Sequence, residues 1–461
     1  MEKIKIPIIP EKPTVVKLKN KIHELNFEAI VVFSVIGFFL EGDTYWKDEF
    51  VLQPATVNTL EDNILLESKS WFRWKYEPIQ KPFKLVLEEF TDLFETIVKE
   101  PLENNSLILP LSGGLDSRTI AVALRNRHEN VFSFSYSFKN GYQEHKIAQK
   151  IAEISNFKFR PFIIEEGYLW SEIEKLAEIN KCQADFLNAR AMFINGKLDD
   201  INGRFSLGHW GDVLFDDMNV VDNISLSEQV DIVLKKIVKK GGMELGEDLW
   251  NYWELKGDFK SYLYERIYKL LKTIDIPYSA NAQIRAFKSL YWAPRWTSAN
   301  IPVYSSYKPI HLPYYDNRIC NFITHVPENY LSNRKIQIEY IKMRFPELAN
   351  IAWQQNKPFN LYNYHYNKIP FNLPYRITNK IKRKISGEIV QRNWELQFLG
   401  QNNEHNLLKY LNLASTNGFI SSGIIKKYID LFYNSNKTKY AHTLNMLLTL
   451  AMFNKSYNKG L

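Results

Sequence analysis

From Ser106 onward the sequence alternates short apolar runs with segments of helical period, and this rhythm constrains the fold more than any other feature. SLILPL, a glycine loop, SRTIAVALRN, VFSFSYS, QEHKIAQKIAEI and FKFRPFII follow one another almost without a break. Ile147, Ala148, Ile151, Ala152 and Ile154 recur at the 3.6-residue period of one buried helical stripe. The runs between the helical segments are short, apolar and bounded by turn residues, as strands are. Such strand–helix–strand units connect right-handedly and build a parallel sheet. The expected fold is α/β, with a doubly wound parallel sheet.

Outside this stretch the pattern changes. Val31–Leu40, Glu49–Gln53 and Asn63–Glu67 read as short strands, and a helix is expected from about Lys84 to Lys99. Beyond Leu226 the sequence is mostly helical. Two units follow: a small mixed β part over 1–85, and an α/β core enlarged by helices over 86–461. The most apolar run, Ala29–Leu40, is a buried strand or helix; a membrane span needs roughly 20 apolar residues, so no span is expected.

The first strand runs into Ser112-Gly113-Gly114-Leu115-Asp116-Ser117-Arg118, and the helix starts at once. Two glycines let several N–H groups converge on one anion, and the helix amino terminus adds its positive end. The loop lacks the lysine of a P-loop and offers Asp116 to magnesium instead, so pyrophosphate is the ligand it suits. Five fixed positions recur by chance on the order of 10⁻⁶ per window, which makes an accidental strand-to-helix turn of this composition improbable.

Composition adds limits. Cys182 and Cys320 are the only two cysteines, too few for a disulfide framework or a four-cysteine metal site, and consistent with a cytoplasmic setting. The net charge of +8 is a weak pull toward phosphates or acidic substrates.

On these residues the chain resembles the asparagine synthetase family, whose synthetase domain carries SGGLDS as its ATP-pyrophosphatase (PP-loop) motif and has an adenine nucleotide α-hydrolase-like core. Three further stretches fall in family order. Leu207-Gly-His-Trp-Gly-Asp-Val-Leu-Phe-Asp-Asp is similar to S-G-E-G-x-D-E-L-F-G-G, Leu312-Pro-Tyr-Tyr-Asp to P-F-L-D, and Ile351-Ala-Trp-Gln-Gln-Asn-Lys-Pro-Phe to W-R-Q-K. The resemblance implies an ATP- and magnesium-dependent ligase that adenylates a carboxylate, releases pyrophosphate, and lets an amine form the amide. It places pyrophosphate on Ser112, Gly113, Gly114 and Ser117, magnesium on Asp116 and Asp212, and adenosine against Pro110, Tyr136 and Gly208. Lys357, one residue off register, matches a lysine touching pyrophosphate and the developing oxyanion. Gln183 and Asp185 fall where the family binds its carboxylate or amine substrate.

The chain departs from the family in two places. Glutamine-hydrolysing members begin with a catalytic cysteine, whereas here Glu2 follows Met1 and no cysteine precedes Cys182. The stretch from Ile36 to Tyr76 still resembles the last strands of the amidotransferase domain, so 1–85 is expected to be a non-catalytic, truncated remnant. The amine would then be free ammonia, a substrate's own primary amine, or ammonia from a separate protein. Inside the site, His209 and Val213 stand where asparagine-forming members have glutamates. A histidine there could deprotonate an incoming amine or simply pack a loop.

Relatives without glutamine chemistry close β-lactam or lasso-peptide rings, and others sit among polysaccharide biosynthesis proteins, so the resemblance implies a small-molecule, sugar-acid or peptide carboxylate. No nucleic-acid partner is expected. The rival readings are a nucleotide-binding relative without catalysis and a PP-loop tRNA-modifying enzyme. Asn379-Lys-Ile-Lys-Arg-Lys-Ile reads as a solvated basic helix face or as a contact for an anionic partner.

Overall fold

The computed structural model describes residues 1–461 except 104–105, 140, 142, 387–396, 416–417 and 459–461. The amino-terminal part holds β1 (Glu2–Lys5), β2 (Val15–Lys17), α1 (Phe27–Ile36), β3 (Glu49–Val51), β4 (Thr56–Glu61) and β5 (Ile64–Ser70). The strands form one sheet in the order β1-β4-β5-β2-β3, antiparallel except where β2 meets β5.

The strand expected over Val31–Leu40 is instead helix α1. The Asn26 side chain caps its first turn by accepting from the Ala29 N–H, and Gly37 at φ 83° ends it. Every residue from Ala29 to Ile36 is buried, and a helix apolar all round shows no period by which to tell it from a buried strand. Close packing on the helix Gly242–Tyr252 explains two glycines. A Cβ at Gly242 would lie 2.6 Å from the Val35 carbonyl oxygen, and one at Gly246 2.5 Å from Val35 Cγ2.

The second sheet contains β6 (Leu107–Pro110), β7 (Val131–Phe138), β8 (Lys158–Ile164), β9 (Arg204–Ser206) and β10 (Ile310–His311). Its order is β10-β9-β6-β7-β8 and every pairing is parallel. Helices α2 (Phe83–Lys99), α3 (Asp116–Ala123), α4 (His145–Ile154) and α5 (Tyr168–Asn180) accompany it. This is the expected α/β architecture. Because β7 and β8 lie to one side of β6 and β9 and β10 to the other, the order reverses at β6. A crevice opens at the carboxyl ends of strands at such a switch point, and the glycine loop leaves β6 there. The remaining chain is largely helical, and 22-residue Lys437–Asn458 is its longest helix among the described residues.

One continuous hydrophobic core joins α1, the parallel sheet and the helical half, while Ile6, Val16, Leu52 and Leu60 form a small separate cluster of the first sheet. A boundary near residue 85 is crossed by polar contacts as well: Tyr45 Oη donates to the Cys182 carbonyl at 2.6 Å, and Arg295 donates to the carbonyls of Glu41 and Asp43 at 2.6 and 2.7 Å. Among the described residues no helix is long and apolar enough to cross a membrane.

Candidate functional site

The Ser112–Ser117 loop is held closed by its own hydroxyls. Ser117 Oγ accepts from the Ser112 N–H at 3.1 Å and lies 3.1 Å from Ser112 Oγ, which accepts from the Gly114 N–H at 3.2 Å. Beneath it Arg118, fully buried, donates to four main-chain carbonyls: Gly113 at 3.3 Å, Leu348 at 3.3 Å, Ile351 at 3.0 Å and Ala352 at 2.9 Å. The guanidinium clamps the loop to a turn over 230 residues further along. The Gln354 N–H donates to the Gly113 carbonyl at 3.1 Å, and a Cβ at Gly113 would lie 2.8 Å from Gln354 Cβ. The first glycine is required by this approach.

Asp116 opens α3 and faces the second turn, Leu207–Asp217. A Cβ on Gly211 would collide with Asp116 Oδ1, so Gly211 too is there for proximity. The Asp116 carboxylate pairs with Arg334 and accepts from Gln337 Nε2 at 3.1 Å. Gln337 also donates to Tyr314 Oη at 3.1 Å, and Tyr314 donates to the Asp116 carbonyl at 3.2 Å. Burial, aided by the charge of Asp212, raises the Asp116 carboxyl to about 6 against the pull of Arg334. Asp316, the acid of the P-F-L-D-like stretch, is not part of this network: it caps the helix Asn317–Ile323 and pairs with Arg318 at 2.8 Å.

In the second turn Trp210 adopts φ 77° and donates through Nε1 to Ser289 Oγ at 3.1 Å. Val213 is buried. His209 lines the cleft, its ring 6.2 Å from that of Tyr304, and its Nδ1 is buried without a hydrogen-bond partner among the described residues. Burial pushes the imidazole down to about 4, opposed by Asp212. It is therefore neutral at pH 7 and a weak proton acceptor, able to position a group by hydrogen bonding but poorly suited to deprotonating an amine. Lys288, beside this turn, has its ammonium 5.8 and 5.1 Å from the ring centres of Trp210 and Trp292. Burial lowers it to about 8, opposed by Asp212.

Together the loop, β7 and the second turn enclose a cleft of about 220 Å³ lined by Pro110, Ser112, Gly114, Asp116, Ser117, Tyr136, Gly208 and His209, with Glu144 and Tyr304. Thus eight of the predicted site residues share one cavity. The Glu144 carboxyl is raised by burial, against Arg190, Gln354 and the Gly113 amide. Arg190 lies over the Tyr136 ring at 5.8 Å with its Nε buried and without a hydrogen-bond partner among the described residues. Sequence reasoning missed Arg118, Glu144, Arg190 and Arg334. Only the adjacency of Arg118 to the motif could have drawn attention to one of them.

Three predicted residues stand apart. Lys357 is exposed on the loop that reaches Gly113 through Gln354. Gln183 lines a different cavity of about 790 Å³, against Tyr45, Trp46 and Phe453. Asp185 is buried, caps the turn Phe186–Asn188 by accepting from the Leu187 N–H at 3.1 Å, and is raised by burial against Lys239 and Arg190.

Magnesium uses one or two carboxylates and completes its shell with phosphate oxygens and water. Asp116, and Asp212 close enough to raise its proton affinity, fit that donor set. Among the described residues no group of three or more His, Cys, Asp or Glu could hold a metal.

Fold and loop define an α/β protein with a glycine-rich loop at the switch point of a parallel sheet. Residues 89–192, which hold the loop, β6 to β8 and α3 to α5, match the asparagine synthase family model, and the resemblance first carried by SGGLDS is borne out over that segment. No curated protein matches the sequence. Solved structures with local likeness include NMN synthetase from Francisella tularensis, at 13% identity over 45% of this chain and 93% of that one, TM-score 0.24. NH3-dependent NAD synthetase from Campylobacter jejuni is 16% identical over 43% and 98%, TM-score 0.22. The tRNA thiolase NcsA from Methanococcus maripaludis is 12% identical over 69% and 89%, TM-score 0.24. Likeness at this level defines neither substrate nor reaction.

Proposed function

We propose that the chain is an ATP-dependent ligase that joins a substrate carboxylate to ammonia or a primary amine, with AMP and pyrophosphate as products. The observation that carries this reading is the Ser112–Ser117 loop at the switch point, with Asp116 facing the same cleft as Tyr136 and Gly208. Adenosine would lie against Pro110, Tyr136 and Gly208. The loop N–H groups and hydroxyls of Ser112, Gly113, Gly114 and Ser117 would hold the departing pyrophosphate. Asp116 and Asp212 would hold magnesium, which supplies charge neutralisation on the leaving group when bound.

The chemistry balances in two steps. A carboxylate oxygen bonds to the α-phosphorus of ATP as the bond to the β-phosphate oxygen breaks and pyrophosphate leaves. The amine nitrogen then bonds to the acyl carbon, AMP departs, and the amine loses one proton. Lys357 would meet the developing oxyanion if its loop closes, and the unpartnered Nε of Arg190 supports a role in holding the carboxylate before attack. His209, neutral, would position a substrate group. Gln183 and Asp185 stay proposals for the second substrate, and Asp185 feels the charge of Arg190.

The test is the identity of the nucleotide product. The purified protein is incubated with ATP, magnesium, a panel of small, sugar-acid and peptide carboxylates, and hydroxylamine as a surrogate amine. Phosphorus NMR should show AMP and pyrophosphate accumulating with the hydroxamate. ADP and phosphate would overturn the reading.

A further inference from the structure

The helix Leu373–Ser386 carries Arg376, Lys380, Lys382, Arg383 and Lys384 and no acidic residue. Leu373, Ile377 and Ile381 are spaced four residues apart and so share one side of it, and they are 44%, 49% and 52% exposed. Immediately before the helix, Ile369 and Phe371 are more exposed still. Seven of the eighteen large exposed hydrophobic side chains among the described residues lie between Tyr362 and Ile381. Protein surfaces scatter such side chains singly, and a cluster marks a contact.

Charge decides what the contact is with. At 100° per residue, exposed Lys380 and Arg376 fall along one edge of the apolar stripe. A second copy of this helix would bring like charges together. An anionic lipid surface instead offers phosphates to the basic edge and an acyl boundary to the stripe and to Phe371. Fourteen residues at 1.5 Å each reach only about 21 Å, so such a helix lies in the interface and does not span it.

We propose that Ile369–Ser386 is a membrane-surface element that seats the protein on anionic bilayers. This stands independently of the reading of the glycine loop.

The full chain is floated with vesicles of phosphatidylcholine alone, and of phosphatidylcholine with about a third phosphatidylglycerol, at low and high salt. It should float only with the anionic vesicles, and less at high salt because exposed charges are screened. Lys380→Gln should weaken partitioning about five-fold, and Ile377→Asp with Ile381→Asp at least about ten-fold. The double variant's unfolding midpoint should not move, since both positions are exposed. Three results would overturn the proposal: no flotation with anionic vesicles at low salt, equal flotation with both vesicle types, or flotation indifferent to the double variant. Capture of an acidic protein in place of vesicles would do the same.

Discussion

Arg334 pairs with Asp116 across 218 positions of sequence, from a backbone held in the left-handed region at φ 62° with Asn333 beside it at φ 55°. A non-glycine residue in that region costs free energy, here set against the charge it delivers to the loop. Arg334 is also fixed by its Nε donating to Gln337 Oε1 at 2.6 Å. Arg334 thus opposes the burial and the Asp212 charge that together raise the Asp116 carboxyl.

Removing that arginine leaves a largely buried charge with one amide partner. Arg334→Ala should destabilise the protein by about 3 kcal/mol but cost much less in an Asp116→Asn background. Urea denaturation of the four members of this cycle measures the coupling. Additive effects would show that the pair does not hold the loop.

Arg118 acts from below. Arg118→Met removes the guanidinium from four main-chain carbonyls, of which Gly113 and Leu348 keep a main-chain donor and Ile351 and Ala352 lose theirs, and should destabilise by about 3 kcal/mol. Arg118→Lys, with a point charge in place of a fork, should recover only part of this. Nucleotide affinity should fall in both variants, because the Gly113 carbonyl then keeps only the Gln354 N–H as its donor; calorimetric titration with ATP checks it.

Arg190 is proposed to hold the substrate carboxylate. Arg190→Gln should raise KM for the carboxylate by roughly ten- to a hundred-fold, the worth of one charge-assisted hydrogen bond, with ATP affinity unchanged. A shift in ATP affinity alone would place Arg190 in the nucleotide pocket.

The parts of this site that could be read in advance are local ones. SLILPL, the glycine pair and the Ile147/Ile151 stripe state their own geometry within about ten residues, so β6, α3, β7, α4 and β8 were legible. Helix α1 was not, because Ala29–Ile36 is apolar on every side. Arg190 and Arg334 were not either: a guanidinium carries no local signature, and only the closed fold brings Arg334 to Asp116 or Arg190 over Tyr136. Gln183 illustrates the opposite failure: it lines the cavity against Tyr45, Trp46 and Phe453, while Asp185, two residues on, is buried capping a turn.

Acid should weaken the fold through buried imidazoles. His442, its Nε2 3.1 Å from the Ser34 carbonyl oxygen, is pushed down to about 3 by burial and by the charge of Lys239. The unfolded imidazole takes up its proton near 6.5, so below that pH the unfolded state binds more protons and stability falls. At pH 5 this one group should have removed about 2 kcal/mol relative to pH 7. His442→Gln should flatten the pH dependence of thermal unfolding across that window, and an unchanged slope would contradict it.

The most direct test of the account is exchange of labelled pyrophosphate into ATP, which reports reversible adenylation without requiring the amine. With magnesium and an accepted carboxylate, the protein should exchange label at a rate saturable in that carboxylate. Asp116→Asn should lose most of it, about 2 kcal/mol or more of transition-state stabilisation. If label enters ATP without any carboxylate, if Asp116→Asn exchanges as well as the unaltered protein, or if the protein turns over ATP to ADP with no exchange at all, then the glycine loop does not perform the chemistry assigned to it.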